Sequence, residues 1–216
     1  MTGFFVTGTD TEVGKTVVCA WLMRALDGEY WKPVQCGLTD VGGKEQGEPG
    51  GDCETVQRLT GFSSERFHPP AHVFSAPRSP HEAAEMDGAA IAMDDFTLPV
   101  TTRPLIVEGA GGVLVPLNDQ ATMCDLMVRL SLPVILVART ALGTINHSLL
   151  SIEALRARGI DLAGIVLCGP QDSANTAAIQ AHGLVPVIGD LPRFESLTPQ
   201  VLAAFADQHP PVLTKA

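Results

Sequence analysis

The feature that most constrains the fold is a short apolar segment that runs directly into a turn rich in glycine and threonine. Residues 4–16 read FFVTGTDTEVGKT. Glycines allow backbone N–H groups to turn inward around phosphate oxygens, Lys15 adds a mobile positive charge, and the Thr16 hydroxyl at a helix start suits Mg²⁺. The segment therefore predicts a strand, a phosphate-binding loop and a helix.

The loop departs from the common phosphate-loop pattern by one residue. Five residues separate Gly8 from Gly14 where the pattern has four, so the motif fits only if Thr9 takes the place of the first glycine. The alternative is a glycine-rich turn that binds no ligand. The Gly-Lys-Thr sequence at 14–16, placed after an apolar strand, favours nucleotide binding.

Short runs rich in valine, isoleucine and leucine recur between helix-length segments. The predicted strands are residues 4–7, 30–34, 105–107, 134–138, 164–167 and 185–188. Runs that are apolar on both faces are typical of a parallel sheet covered by helices on both sides. Apolar residues at helical spacing follow Lys15 and recur from Ile145 to Leu155. We therefore predict a single α/β domain over residues 1–216, with a P-loop NTPase-like, mostly parallel sheet.

Composition narrows the class of partner. Among 216 residues, 24 acidic against 14 basic side chains give a net charge of −10. This charge disfavours nucleic-acid backbones and anionic membranes as partners and leaves small molecules.

Five cysteines without a C-x-x-C pair suggest neither a disulfide framework nor a zinc site, and they fit a cytoplasmic protein with reduced thiols. Neither a basic leader nor a run of about 18 apolar residues occurs, so we expect neither secretion nor membrane spanning.

Ligands of such sheets gather where the strands end. We expect the following strand-end residues to line the site: Gly8, Gln35, Glu108, Arg139 and Cys168. The polar, glycine-rich stretch from Cys36 to Gly51 is interpreted as a mobile loop. Prolines around His68 and His72 favour loop residues over metal ligands, because proline prevents one helix from presenting both side chains.

Two carboxylates are candidate magnesium ligands. Glu108 follows the apolar run 105–107 and precedes Gly109, as a Walker-B carboxylate would, with Glu in place of the usual Asp. Asp52 follows the glycine loop and is either the N-cap of a helix or a second metal ligand. Together with Thr16 they would form the sparse oxygen set that suits Mg²⁺ bridging phosphates.

Two further features suggest anion binding. Lys32 lies in the otherwise apolar segment 30–34 and either points at phosphate or lies exposed on an edge strand. Thr144 begins a later helix, whose free N–H groups would either hold a substrate carboxylate or simply be capped.

Five segments together resemble the dethiobiotin synthetase family. They are GTDTEVGKT at 8–16, KPV at 32–34, VEGAGG at 107–112, PVILV at 133–137 and LGTINH at 142–147, with SPH at 79–81 similar to the family's substrate-side loop. The match runs in order over nearly the whole chain. The loop spacing that departs from the generic motif is itself typical of this family.

The resemblance implies an ATP-dependent ligase that closes a cyclic urea on 7,8-diaminopelargonic acid with CO₂ and Mg²⁺, in a homodimer. It implies catalytic roles for Thr11, Glu12, Lys15 and Lys32, and Mg²⁺ on Thr16, Asp52 and Glu108. Gly111 and Val113 would contact the substrate through backbone atoms, and residues 144–146 would bind its carboxylate beside the second subunit. The implied nucleotide contacts are Gly8, Glu12, Val13, Gly14, Lys15, Thr16 and Val17.

Three features depart from the family pattern. Cys36 stands where members commonly have Ser or Thr, and Cys168 stands where many members read adenine with Asn, so other nucleoside triphosphates are expected to serve as well as ATP. The segment 88–103 is shorter and less helical than usual. The rival interpretation is another P-loop protein, either a partitioning-type ATPase switch or an amide-forming synthetase of the cobyrinate type.

Overall fold

A seven-stranded parallel sheet forms the centre of the computed structural model, which describes residues 3–38 and 50–213. Every pairing between neighbouring strands is parallel. The strands of the chain are β1 (Gly3–Gly8), β2 (Glu29–Trp31), β3 (Val34–Cys36), β4 (Phe67–His68), β5 (His72–Phe74), β6 (Leu105–Gly112), β7 (Val134–Arg139), β8 (Leu162–Cys168) and β9 (Val187–Leu191). The main sheet has the order β4-β2-β6-β1-β7-β8-β9, which puts β1 at its centre.

Helices cover both faces of the sheet, as the doubly apolar strands predict. They are α1 (Lys15–Leu26), α2 (Gly51–Thr60), α3 (Pro80–Met86), α4 (Met123–Leu130), α5 (Thr144–Arg156), α6 (Ser173–Gly183) and α7 (Pro199–Gln208). Buried residues of α1, α2 and α7 share one core, and those of α3, α4, α5 and α6 share the core on the other face. The P-loop NTPase-like single domain is confirmed, while the boundaries 1–216 stay a prediction.

The second predicted strand is wrong as a single element. Residues 30–34 are divided between β2 in the main sheet and β3, which pairs with β5 in a separate two-stranded sheet. Pro33 lies between them and has no N–H to donate, while its carbonyl accepts from the N–H groups of Ala71 and His72. The chain therefore changes sheet across Lys32 and Pro33, which places Lys32 in the connection between β2 and β3.

Smaller corrections concern the edges of the fold. His68 lies in the short strand β4 and His72 in the short strand β5, so the prediction that both are loop residues is wrong. Only Pro69, Pro70 and Ala71 connect these two strands. The last strand begins at Val187, two residues after the predicted start at 185. Most of the loop predicted between Cys36 and Gly51 lies outside the described residues. Within the described ranges, no helix combines the length and apolar character needed to cross a bilayer.

Candidate active site

The loop after β1 is packed too tightly for side chains at its first glycine. A Cβ on Gly8 would lie 2.7 Å from both the carbonyl oxygen of Asp10 and Cγ2 of Val13. Gly14 has φ of +102°, and Glu12 also adopts a left-handed conformation, with φ of +56°. A non-glycine residue in that region is held there by its surroundings, and such strain is concentrated at ligand-binding sites. The loop is thus preformed for close approach to a ligand.

Lys15 lies in the first turn of α1 and points back into the loop. Its Nζ donates to the carbonyl oxygen of Asp10 at 2.9 Å, and the residue is buried. Burial lowers the pKa of Lys15 below its ordinary value, and the nearby Glu108 opposes that shift. Its hydrogen-bond partner is a neutral carbonyl, so the ammonium group can turn to a phosphate without leaving a buried carboxylate unpaired.

Four side chains from four parts of the chain meet below the loop. The Thr16 hydroxyl lies 2.8 Å from Oδ1 of Asp52 and 3.0 Å from Oε1 of Glu108. The ammonium group of Lys32 lies 2.7 Å from Oδ2 of Asp52 and 3.1 Å from Oε1 of Glu108. One hydroxyl and one cation therefore face the same pair of carboxylates. The structure brings Thr16, Asp52 and Glu108 together, while their role as metal ligands stays a prediction.

The charges of this cluster stabilise one another. Burial alone would lower the pKa of Lys32, but the carboxylates of Glu108 and Asp52 raise it above its ordinary value. Burial alone would raise the pKa of Asp52, but Lys32 and the Thr16 hydroxyl hold it below its usual range. Lys32 and Asp52 are therefore charged at neutral pH. The exposed edge-strand alternative for Lys32 is wrong, because only 6 % of the residue is exposed.

Local structure places both carboxylates differently from the sequence-based expectation. Glu108 is not at a strand end, because β6 continues past it to Gly112. Asp52 lies in the first turn of α2, and Gly50 is the N-cap, so the N-cap interpretation of Asp52 is wrong. The backbone N–H of Asp52 donates to Oε1 of Gln35 at 3.2 Å, which fixes the start of α2 beside β3.

The oxygen set fits a magnesium ion. Both carboxylates lie within hydrogen-bond distance of the Thr16 hydroxyl, and carboxylate and hydroxyl oxygens are the hard ligands that Mg²⁺ prefers. Across residues 3–38 and 50–213, no group of three or more histidine, cysteine or acidic side chains is placed to hold a metal ion, so the oxygen set consists of two carboxylates and one hydroxyl.

A cavity of about 860 Å³ opens beside this cluster. Residues from the phosphate loop, β3, the start of α2, the segment before α3 and β6 line it. The lining residues are Thr11, Glu12, Gly14, Lys15, Thr16, Val17, Lys32, Gln35, Cys36, Gly37, Gly51, Asp52, Pro77, Arg78, Ser79, Pro80, Glu82, Glu108, Ala110, Gly111 and Val115. All four predicted catalytic residues are in this set.

Several predicted site residues lie outside the cavity wall. Gly8 and Val13 are buried and do not line the cavity, and Val113 belongs to the hydrophobic core shared by α3, α4, α5 and α6. His81 does not line the cavity, although Ser79 and Pro80 do.

The start of α5 is also separate from this cavity. Gly143, not Thr144, is the N-cap residue, with φ of +94°, so the prediction that Thr144 caps the helix is wrong. The Thr144 hydroxyl is buried and has no hydrogen-bond partner among the described residues. Residues 144–146, the expected carboxylate site, do not line the cavity.

Strand ends on the other side of β1 border the phosphate loop. Arg139 approaches Asp10, with 3.7 Å between its guanidinium nitrogen and Oδ2. A Cβ on Gly14 would lie 3.0 Å from Sγ of Cys168, so the thiol packs against the loop. Burial, with a smaller contribution from Asp190, raises the pKa of Cys168 to about 12, and burial raises that of Cys36 to about 11. Both thiols are neutral hydrogen-bonding groups at neutral pH.

One residue of the site escaped the sequence-based analysis, and another has a role beyond the predicted one. Gln35 was predicted as a strand-end residue of the site and does line the cavity, and it also holds the first turn of α2. Tyr30 was assigned to an apolar strand, yet its hydroxyl donates to Oε2 of Glu108 at 2.8 Å. A signal existed in each case, because a polar group within a buried strand needs a partner.

Comparisons with known proteins agree with this geometry. The family model described as "AAA domain" matches residues 2–201. The ATP-dependent dethiobiotin synthetase of Rhodopseudomonas palustris (strain BisA53) is 51 % identical over 94 % of this chain and 91 % of its own length. Those of Nitrobacter hamburgensis and Paramagnetospirillum magneticum are 50 % and 46 % identical, over 95 % and 99 % of this chain and 93 % and 98 % of their own lengths.

The chain belongs to the ATP-dependent dethiobiotin synthetase family. Membership makes it an ATP-dependent ligase of biotin biosynthesis. A ParA family ATPase from Chlorobium tepidum has a similar fold, with a TM-score of 0.52 over 95 % of this chain and 97 % of its own. At 11 % identity, that likeness shows the fold alone.

Proposed function

We propose that this dethiobiotin synthetase family member forms the ureido ring of dethiobiotin from 7,8-diaminopelargonic acid, CO₂ and ATP. The observation that carries the proposal is the arrangement of Lys15 and Lys32 beside one acidic pair at the wall of one cavity. Such a site suits two anions that react with each other, a triphosphate and a carbamate. Family membership specifies which carbamate.

The reaction has three steps. One substrate amine attacks CO₂ and loses a proton, which gives a carbamate. A carbamate oxygen then attacks the γ-phosphorus of ATP, with ADP as the leaving group, and a carbamic–phosphoric anhydride forms. The second amine attacks the carbamate carbon, the ring closes, and phosphate and a proton leave. All the bonds form between substrates, so the protein supplies position and charge.

Each of the two lysines has a role that follows from its surroundings. Lys15, held by a neutral carbonyl, is free to follow the β- and γ-phosphates and to neutralise charge on the transferring phosphoryl group. Lys32, fixed between Asp52 and Glu108, presents its charge from the β2–β3 connection to the carbamate side of the cavity. Thr11 and Glu12 line the cavity at the loop's extra length and would orient the reacting groups.

A divalent cation would be held by the oxygens of Thr16, Asp52 and Glu108. When bound, Mg²⁺ would supply positive charge that offsets the negative charge developing on the transferring phosphoryl group. Thr16 is well placed for this role, because its hydroxyl already lies within 3.0 Å of oxygens of both carboxylates.

The proposal includes a homodimer in the cytoplasm. No residue at the start of α5 lines the main cavity, and the N–H groups at that helix end favour an anion. In the family the substrate carboxylate binds at that helix end with help from the second subunit. Leu142 is fully exposed beside it, as a residue covered by a partner copy would be in a single chain.

Base selectivity is expected to be relaxed. A thiol at Cys168 cannot supply the paired donor and acceptor with which an amide side chain reads adenine. The thiol is neutral and buried against the phosphate loop. Mg²⁺ complexes of CTP and GTP should therefore support turnover at rates comparable to that with ATP.

The decisive experiment measures phosphate release by the purified protein with Mg²⁺, bicarbonate and 7,8-diaminopelargonic acid. ATP, CTP and GTP are compared, and dethiobiotin is identified by mass. Release that requires the diamine and yields that mass supports the ligase, whereas release without the diamine favours a partitioning-type switch. An Arg58→Ala variant, which changes an exposed cation of α2 outside the cavity, serves as the matched control.

A further inference from the structure

Tyr30 lies directly behind the acidic pair of the site. Its hydroxyl donates to Oε2 of Glu108 at 2.8 Å. Both residues are buried, since Tyr30 is fully inaccessible to solvent and only 1 % of Glu108 is exposed. Strand register explains the contact. Tyr30 of β2 pairs with Ile106 of β6, so Glu108, two residues further along β6, projects from the same face as Tyr30.

The two oxygens of Glu108 have different partners. Oε2 accepts from Tyr30 on the side of the core, while Oε1 faces the Thr16 hydroxyl and the Lys32 ammonium group. A buried carboxylate oxygen without a donor is unfavourable, and a carboxylate free to rotate would offer either oxygen to the site. The Tyr30 hydroxyl satisfies Oε2 and so holds Oε1 towards the site.

We propose that Tyr30 is a positioning residue for the metal site: by holding Oε2 of Glu108, it directs Oε1 to the divalent cation. This proposal rests on the proposed function in one respect, namely that Glu108 binds a divalent cation. The contact between Tyr30 and Glu108 does not depend on which reaction the cation serves. Hydrogen bonds to metal-ligating carboxylates orient them, and removal of such outer partners weakens metal binding by about 10- to 100-fold.

The surroundings of Tyr30 suit a permanent donor. The ring packs against Phe67, with centroids 5.8 Å apart, so its direction is fixed by the core. Burial, with Glu108 next in importance, raises the pKa of Tyr30 well above its ordinary value. The geometry of the contact, at 2.8 Å between the hydroxyl and Oε2, makes Tyr30 the donor.

Tyr30→Phe removes the hydroxyl and keeps the ring. Mn²⁺ is the probe, since its free concentration is read from its EPR spectrum without any turnover, with and without ADP. We expect the Mn²⁺ dissociation constant to rise about 10-fold or more, with the urea midpoint of unfolding measured alongside. The matched control is Trp31→Phe, which removes a buried donor from the next residue of the same strand, whose Nε1 donates to the carbonyl of Pro69.

A second measurement needs no variant. Tyr30 is the single tyrosine of the chain, so protein labelled with [¹³Cζ]tyrosine gives one resonance that reports on this hydroxyl. That resonance should shift as Mg²⁺ saturates the site. A Tyr30→Phe dissociation constant within twofold of the parent value, an equal loss in Trp31→Phe, or a resonance that ignores Mg²⁺ would overturn the proposal.

The two proposals fail in different ways. Mn²⁺ binding that depends on Tyr30 in a protein that makes no dethiobiotin would remove the proposed reaction and keep the positioning role. Normal dethiobiotin synthesis in Tyr30→Phe, with unchanged Mn²⁺ binding, would remove the positioning role and keep the reaction.

Discussion

The phosphate loop and the β2–β3 connection each bring one lysine to the same cavity, but they hold it in opposite ways. Lys15 rests on a neutral carbonyl within its own loop, five residues back along the chain, and burial lowers its pKa. Lys32 is fixed by two carboxylates that are distant in sequence, and they raise its pKa. The first lysine is held only by local structure, whereas the second is part of the tertiary structure.

This difference separates catalytic importance from structural importance. A lysine on a neutral carbonyl can move to a ligand at little cost, because no buried charge loses its partner. A lysine between two carboxylates cannot leave without cost, because the two negative charges then lose their partner and repel each other. We therefore expect the two positions to affect catalysis similarly and stability differently.

The largest expected effect is on turnover. Lys15→Ala and Lys32→Ala should each lower kcat by about 10³-fold or more, because each removes a positive charge aimed at the transferring phosphoryl group or the carbamate. Dethiobiotin formation with saturating substrates measures the loss. Near-normal activity in either variant would remove that lysine from its assigned role.

Stability should distinguish the two variants. Lys32→Ala is expected to lower the free energy of unfolding by about 3 kcal/mol, near the low end for breaking a buried ion pair, because Asp52 is partly exposed. Lys15→Ala should cost less than about 1 kcal/mol, as it loses one hydrogen bond to a carbonyl. Urea unfolding without metal measures both. Equal losses would contradict the contrast between the two regions.

The acidic pair offers a finer test. Glu108→Gln keeps the size of the side chain but removes the charge that faces Thr16 and Lys32, so the Mg²⁺ concentration for half-maximal activity should rise at least about 10-fold. Activity measured across a range of Mg²⁺ concentrations gives this value. An unchanged response would exclude Glu108 from the metal site.

The smallest expected effect concerns the thiol at the end of β3. Cys36→Ser supplies a stronger hydrogen-bond donor at the cavity wall and should change kcat by no more than about fivefold, with the urea midpoint unchanged. Steady-state kinetics with the parent protein as reference would measure it. A loss of 100-fold would mean that the thiol itself takes part in the reaction.

Much of the fold could be predicted because its signals are local. Doubly apolar runs at regular intervals specify a parallel sheet with two helical layers, and five of the six predicted strands correspond to single strands of the main sheet. The exception, residues 30–34, shows the limit of that reasoning. Composition does not reveal that the chain changes sheet at Pro33, since the partner β5 lies almost 40 residues further along.

The sequence by itself determined the phosphate loop, the two lysines, the two carboxylates and the family, because these depend on residue types at fixed spacing. Only the tertiary structure decided which groups share a hydrogen bond. The strand register of β2 against β6 brings the Tyr30 hydroxyl to Glu108, and Gln35 holds the start of α2 beside β3. Contacts of this kind depend on distances between strands and helices that are far apart along the chain, and spacing within a single segment does not contain them.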